Sequence, residues 1–513
     1  MRSAKQAPFQ SVGSLHPGRS QFNLSYVKTF TADMGQLIPI MCDECVPGDI
    51  WKIGNQSVVR FQPLVAPVLH EINQFVHYFF VPYRLLWEDW EDFITSGEDG
   101  QDVSVLPYWD VTDDSEGSLW DYLGFPTDVD PGAGARPIDF PRRAYNFVFN
   151  EYYRDENLQT QVALTNEDIL LRNWEKDYLT SALLEQQKGT APSLPISGII
   201  PVLGIGKSNQ NFPQTNTTVY ESDHTTSVFA KSSYTSDATN PGVFEEDPAH
   251  PGYPRVRVDL SAATTFDIAD LRLAFQIQRW MERNNRAGSR YTEFLKAHFG
   301  VAPHDDRLQR PEYIGGTRAN IILSEVLQTS STDLVSPQGN LAGHGIGISN
   351  NFAGTYHVKE FGLIIGLMSV MPKPQYSQGI NRQWLRETRY DFYFPEFANL
   401  SEQAITNGEV CAIDANPTHN QEIFGYQGRY DEMRVKQNMV CGQMRTTFNY
   451  WHLAREFDPG TPPELNEDFI QCIPRKDIFA VPSEPGLIVE FGNAIVAFRP
   501  LPITAEPGLL DHD

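Results

Sequence analysis

The sequence predicts a mainly β protein whose strands are joined by long, partly helical connections. Three observations predict it. The 36 prolines and 37 glycines are spread along 513 residues rather than clustered, which divides the chain into short elements. Runs of β-branched and aromatic residues bounded by Gly, Pro and Asp recur through it. Hydrophobic residues make up 41% and aromatics 12%, with 31 Phe, 21 Tyr and 9 Trp, ample for a large core and excluding disorder throughout. The length accommodates two to four ordinary domains or one β-rich domain carrying long insertions.

The chain opens with four cations, Arg2, Lys5, Arg19 and Lys28, and no acid before Ala32. Among Ser, Gln, Pro and Gly they read as a flexible basic arm over residues 1–20; an ordinary frayed terminus is the plain alternative. Strands are predicted at 22–30, 36–42, 57–62 and 70–82. A helix begins near Arg84, with Leu86, Trp90, Phe93 and Ile94 on one face and Glu88, Asp89, Glu91 and Asp92 on the other. Those acids read as a solvated face, because they lack the alternating spacing that folds oxygens around calcium. Further helices are predicted over 166–187, over 267–285 with Asp267 as cap, and over 290–299 with Gly300 as stop. Residues 207–254 are rich in Ser, Thr and Asn with few Leu or Ile, and read as a polar surface insertion. Strands follow at 360–370 and 486–500, and no fixed-period repeat is visible.

No apolar run is long enough to span a bilayer, and the first twenty residues contain no apolar core of a secretion signal, so a cytosolic site of synthesis is expected. Five cysteines, an odd number, argue for thiols over a disulfide framework. Cys42 and Cys45 raise the question of a metal clip or redox dithiol. A second ligand pair is missing, and they follow a strand-like "LIPIM" rather than open a helix, so they read as small buried hydrophobes. "PVLGIGKS" at 201–208 has Pro201 where a phosphate loop needs its first glycine, and "GNLAGHGIGIS" at 339–349 reads as a loop. No catalytic, metal or cofactor motif is recognisable. The formal charge of −25 excludes a surface that grips nucleic acid all over. In 376–403, Arg382, Arg386 and Arg389 interleave with Tyr376, Trp384, Tyr390, Phe392, Tyr393 and Phe394. That pattern suits a protein interface or core, and alternatively stacking on single-stranded DNA.

The stretches "LIPIMCDECVPGDIWKI", "HYFFVPYRLLWEDWEDF", "RAYNFVFNEYYRDENLQ", "RLAFQIQRWMERNNRAGSRYTEFLKAHFGV", "DDRLQRPEYIGG", "YSQGINRQWLRETRYDFYFPEFANLSEQA" and "FGYQGRYDEMRVKQNMVCGQMR" carry a resemblance. Spread from about residue 20 to 480, they make the chain similar to the major capsid proteins of the Microviridae, in particular the gokushovirus-like branch; "NEYYRDENLQ" is the most specific of its motifs. That family typically has aliphatic residues at the places of Cys42 and Cys45, so here the pair replaces hydrophobes.

The resemblance implies an eight-stranded viral jelly roll, two packed antiparallel sheets with long, partly helical inter-strand insertions, forming one domain over 21–513. It implies a structural protein of the virion, assembled in the host bacterial cytoplasm as a 60-copy T = 1 icosahedral shell around circular single-stranded DNA, with no enzyme activity, no cofactor and no membrane insertion. A small basic DNA-binding protein is an expected partner, helped by Arg2, Lys5 and Arg19; Arg382, Trp384, Arg386 and Arg389 are the other DNA-facing candidates. The 207–254 insertion is expected to build a threefold protrusion that contacts a host surface receptor, with Tyr220, His224, Phe229 and Tyr234 as candidate contacts. Two other classes remain: a receptor-binding spike, and a β-rich carbohydrate hydrolase using acids such as Glu88 and Asp92.

Overall fold

Along Ile50–Phe61 every second side chain, from Trp51 through Ile53, Asn55, Ser57 and Val59 to Phe61, is buried. This period of two is that of a strand with one face on a core. The computed structural model describes residues 18–192 except 98, 99, 130 and 133, short stretches between 202 and 258, residues 268–327 except 289, and residues 341–504. Two compact units are present, Met1–Gln186 with Asn284–Asp513, and Gln187–Arg283.

The first unit is built on an antiparallel sheet of nine strands: β1 (Ser20–Asn23), β2 (Tyr26–Ala32), β3 (Ile38–Cys45), β4 (Ile50–Phe61), β5 (Ile72–Pro82), β6 (Glu312–Leu327), β7 (Leu341–His357), β8 (Gly362–Pro372) and, after a separate hairpin of β9 (Glu402–Thr406) with β10 (Ile423–Gly428), β11 (Leu487–Arg499). Their order is β1-β11-β4-β7-β6-β5-β8-β3, with β2 also on β11. β6 divides its partners: Glu312–Ile321 pairs with β5 and Ile322–Leu327 with β7. The sheet therefore curls about β6, and strands from both ends of the order share one core. Ile40 and Cys45 of β3, Tyr78 and Phe80 of β5 and Ile364 of β8 pack with Trp51 and Ile53 of β4 and Phe491 and Ile495 of β11. Polar groups cross the same space: Asn493 Nδ2 donates to the Ile40 carbonyl at 2.9 Å, and Ser57 Oγ to Gln74 Oε1 at 2.9 Å.

β8 is buried along its whole length. Its second face, with Phe79 and Val81 of β5, is covered by α1 (Tyr83–Leu86), α3 (Leu119–Tyr122) and α4 (Phe140–Val148) through Tyr83, Leu86, Trp120, Phe140 and Tyr145. Burial on both faces explains why "GLIIGLMSV" reads as continuous apolar sequence instead of alternating.

Most predicted strands are present, with the first split into β1 and β2. Three expectations are corrected. The helix expected from Arg84 is broken into α1 and α2 (Trp90–Thr95) by the extended Trp87, whose ring joins the outer layer; Arg143 Nη1 caps α1 by donating to the Leu86 carbonyl at 3.0 Å. Residues 166–187 form turns and isolated bridges, because their backbone pairs with distant chain: Leu171 with Gln36, Asn173 with Gln471, and Leu183 with Tyr426. The glycine-rich 339–349 stretch lies largely in strand β7. Helices expected over 267–285 and 290–299 are present as α5 (Ile268–Ala287) and α6 (Tyr291–Phe299), with Gly300 in the left-handed conformation that ends α6. The proposed cap Asp267 lies outside the described residues.

Cys42 and Cys45 point into different apolar layers of β3, Cys45 to the inner core and Cys42 to the helical layer. Burial pushes the Cys42 thiol up to about 12 and raises that of Cys45 too, so both stay protonated.

Candidate assembly and nucleic-acid surface

Between β8 and β9 the chain makes three short 3-10 turns, Arg382–Trp384, Arg389–Asp391 and Pro395–Phe397. Local hydrogen bonds fix them: Asn381 Oδ1 accepts from the Gln383 N–H at 3.2 Å, and Asp391 Oδ2 accepts from the Thr388 N–H at 2.7 Å and its hydroxyl at 2.9 Å. Turns this short cannot bury an amphipathic face. Trp384 is 75% exposed, and Tyr390, Phe392, Tyr393 and Phe394 are exposed beside it. Met433, Val435 and Met439 extend the apolar surface; Lys436 Nζ reaches Gln383 Oε1 at 3.4 Å, and Tyr430 OH donates to the Phe392 carbonyl at 3.0 Å.

The three arginines of this stretch are not equivalent. Arg382 Nη1 lies 2.9 Å from Glu409 Oε1, a buried carboxylate that also accepts from Tyr178 OH at 3.2 Å and the Thr406 N–H at 3.1 Å. Burial pushes the Glu409 carboxyl up, and Arg382 opposes that shift. Arg386 lies over the Phe392 ring at 5.0 Å and 3.6 Å from buried Glu432, which accepts from Gln403 Nε2 at 2.7 Å. Arg389 is exposed over Tyr390, and among the described residues it has no acidic partner. Of the other candidates, Arg19 is exposed, while Arg2 and Lys5 lie outside the described residues. In the second unit, Tyr220 and Phe229 end the paired segments Thr217–Tyr220 and Thr226–Phe229; His224 and Tyr234 lie outside the described residues.

Sequence reasoning missed a cavity of about 580 Å³ in the first unit. Phe79, Tyr152, Tyr153, Trp174 and Tyr313 supply aromatic walls, and His77 joins them with Nδ1 2.8 Å from Tyr153 OH. Arg310 and Lys176 on its lining are matched by Asp305 at 2.6 Å and Asp155 at 2.7 Å. Arg172 stacks on Phe75 and Tyr153 and donates to Ser369 Oγ at 2.9 Å. Among the described residues, Asn173 Oδ1 and Glu175 Oε1 are buried acceptors without a donor. The lining comes from five separate stretches, so no local motif announces it; the only signal was "NEYYRDENLQ", whose Tyr152 and Tyr153 form part of it.

A curled sheet carrying an exposed aromatic belt, with Arg382 and Arg386 matched by buried acids beneath it, has the make-up of a structural protein with an interaction surface. A family model described as "Capsid protein (F protein)" matches residues 10–509. The chain is 34% identical to the capsid protein VP1 of Chlamydia phage 1, covering 98% of this chain and 97% of that protein. It is 34% identical to the capsid protein VP1 of Bdellovibrio phage phiMH2K, at 97% and 96% coverage, and 32% identical to that of Spiroplasma virus 4, at 99% and 98%. The chain belongs to the F capsid protein family of the Microviridae; it is a major capsid protein of the virion and not an enzyme.

Proposed function

We propose that sixty copies of this chain close into a T = 1 icosahedral shell around circular single-stranded DNA, with the exposed belt at Trp384, Tyr390, Phe392, Tyr393 and Phe394 as a principal contact between copies. That belt carries the reading: aromatic side chains beside arginine are what interfaces enrich, and a monomer has little use for so much exposed apolar surface. The strand order supports the finer fold. Taking β1 and β2 as one interrupted strand on β11 leaves eight, four (β1/β2, β11, β4, β7) against four (β6, β5, β8, β3), the two packed sheets of a viral jelly roll.

The same reading assigns the DNA contacts. Arg389 is favoured over Arg382 and Arg386, whose charges are already matched by Glu409 and Glu432, while Trp384 goes to the contact between copies. The aromatic cavity is a further place for a base to stack. A small basic protein, together with Arg2, Lys5 and Arg19 of the arm, offsets the repulsion between acidic shell and DNA. The insertion 207–254 forms the threefold protrusion that meets a host surface receptor, through side chains such as Tyr220, His224, Phe229 and Tyr234.

Electron microscopy of the purified protein tests the assembly. Uniform small icosahedral shells are expected, with the aromatic belt between subunits; trimers alone, or shells in which the belt stays open to solvent, overturn the reading.

A further inference from the structure

A histidine whose two ring nitrogens are both engaged with the main chain is committed to one protonation state. His70 lies just before β5; its Nε2 is 2.7 Å from the Lys373 carbonyl, and its Nδ1 accepts from the Leu453 N–H at 3.3 Å. His452, 1% exposed, sets Nε2 2.7 Å from the Met444 carbonyl and accepts from the Ala454 N–H at Nδ1, at 3.0 Å. Each ring accepts at one nitrogen and so has one proton to give at the other: both are neutral, protonated at Nε2. A second proton would set a ring N–H against a backbone N–H in both places.

Both rings hold the same piece of chain. Residues 438–455 form a strap fastened by backbone bonds from Tyr376 N to the Asn438 carbonyl at 3.1 Å, from Val440 N to the Tyr376 carbonyl at 3.1 Å, from Leu69 N to the Trp451 carbonyl at 2.7 Å and from Arg455 N to the Gln375 carbonyl at 2.9 Å. Leu453, whose N–H is the one that His70 accepts, is 2% exposed in the inner core. We propose that His70 is an acid-sensitive clamp on this strap, backed by the bonds of the His452 ring within it, and that the clamp opens when the His70 ring takes a second proton and withdraws Leu453 from the core.

The charged neighbours of His70 act in both directions. Around His70 stand Glu71, shared by Lys373 Nζ at 3.2 Å and Arg318 at 3.3 Å, and His452 itself. Burial is the largest influence; with the approach of His452 it outweighs the bond to the Lys373 carbonyl and the charge of Glu71, which act the other way, and pushes His70 down to about 4. Against His452, Arg475 donates to the His452 carbonyl at 3.0 Å while pairing with Glu456 at 2.7 Å and lying 3.5 Å from Asp477. Because the clamped His70 takes its proton at lower pH than the released one, near 6.5, the clamp is at full strength above that value and weakens as pH falls toward 4.

Hydrogen exchange read by mass spectrometry on purified particles, corrected for intrinsic rates, tests this. Peptides within 438–455 should open up to about tenfold more per pH unit across that window. His70→Gln, which keeps a donor and an acceptor but does not titrate, and His70→Gln with His452→Gln should flatten this dependence while leaving protection at pH 7.5 within a few-fold. A flat wild-type profile overturns the clamp, as does an unchanged slope in the double variant. Should the variants fail to fold, C2-proton exchange of His70 in wild-type particles decides: half-titration near 4 supports the clamp, and titration near 6.5 with the strap still protected overturns it.

Discussion

Arg382 and Arg389 carry the same charge in one short stretch, yet they stand in opposite electrostatic situations. Arg382 is committed to Glu409, a carboxylate with 2% of its side chain exposed, whereas Arg389 reaches solvent over Tyr390. Arg382→Ala would leave Glu409 buried without its cation, and is expected to lower stability by about 2–4 kcal/mol, discounted for the partial exposure of the arginine. Arg389→Ala should change stability by less than about 0.5 kcal/mol while weakening DNA binding or particle yield. Denaturant midpoints of dissociated subunits check the first, and oligonucleotide binding with particle yield the second; equal midpoints for the two variants would refute the distinction. Sequence alone placed all three arginines in one class, because spacing shows neighbours along the chain but not Glu409 and Glu432 arriving from beyond β9. The cysteines were legible for the converse reason: their flanking residues already exclude helix-dipole activation, and both burial environments follow from strand alternation.

At the scale of elements, strands with ordinary composition could be read, and the one built on glycine could not. β7 was taken for a loop in part because Gly343, Gly345 and Gly347 look like breakers. Their spacing of two was the signal, since each occupies a place where a side chain would collide across the sheet. A Cβ at Gly343 would lie 2.4 Å from the Ala66 carbonyl oxygen, at Gly345 2.8 Å from Phe61 and Leu323, and at Gly347 2.9 Å from Ile321. Gly343→Ala meets backbone, which cannot step aside, and is expected to cost roughly 1–3 kcal/mol; Gly347→Ala meets Cγ1 of the Ile321 side chain, which can yield by a few tenths of an ångström, and should cost less. Thermal unfolding of the two variants against the parent checks the order. The turns of 166–187 were illegible for another reason, because their backbone partners lie in Gln36, Gln471 and Tyr426, beyond the reach of any local pattern.

Charge dominates at the scale of the whole molecule. No Lys, Arg or His occurs from residue 85 to 135, and the fourteen acids of that stretch supply more than half of the net −25. Sixty such subunits would carry a formal charge of about −1500, and enclosed DNA adds to it, so association of the shell works against long-range repulsion that salt screens over about 10 Å at 0.1 M. Assembly is therefore expected to be more complete at 150 mM than at 10 mM salt. DNA retention is expected to have the opposite dependence, since any attraction between phosphates and the cations Arg2, Lys5 and Arg19 would weaken as counterions compete. Removing residues 1–17, which deletes Arg2 and Lys5 but leaves β1 and its pairing with β11 intact, separates the two effects. Shells should still form, because none of the described strands is lost, while the DNA content per particle, read from the ratio of absorbance at 260 and 280 nm after nuclease treatment, should fall and its salt dependence become shallower. Equal DNA content in truncated and full-length particles would remove the arm from packaging and leave the neutralising charge entirely to a separate basic partner.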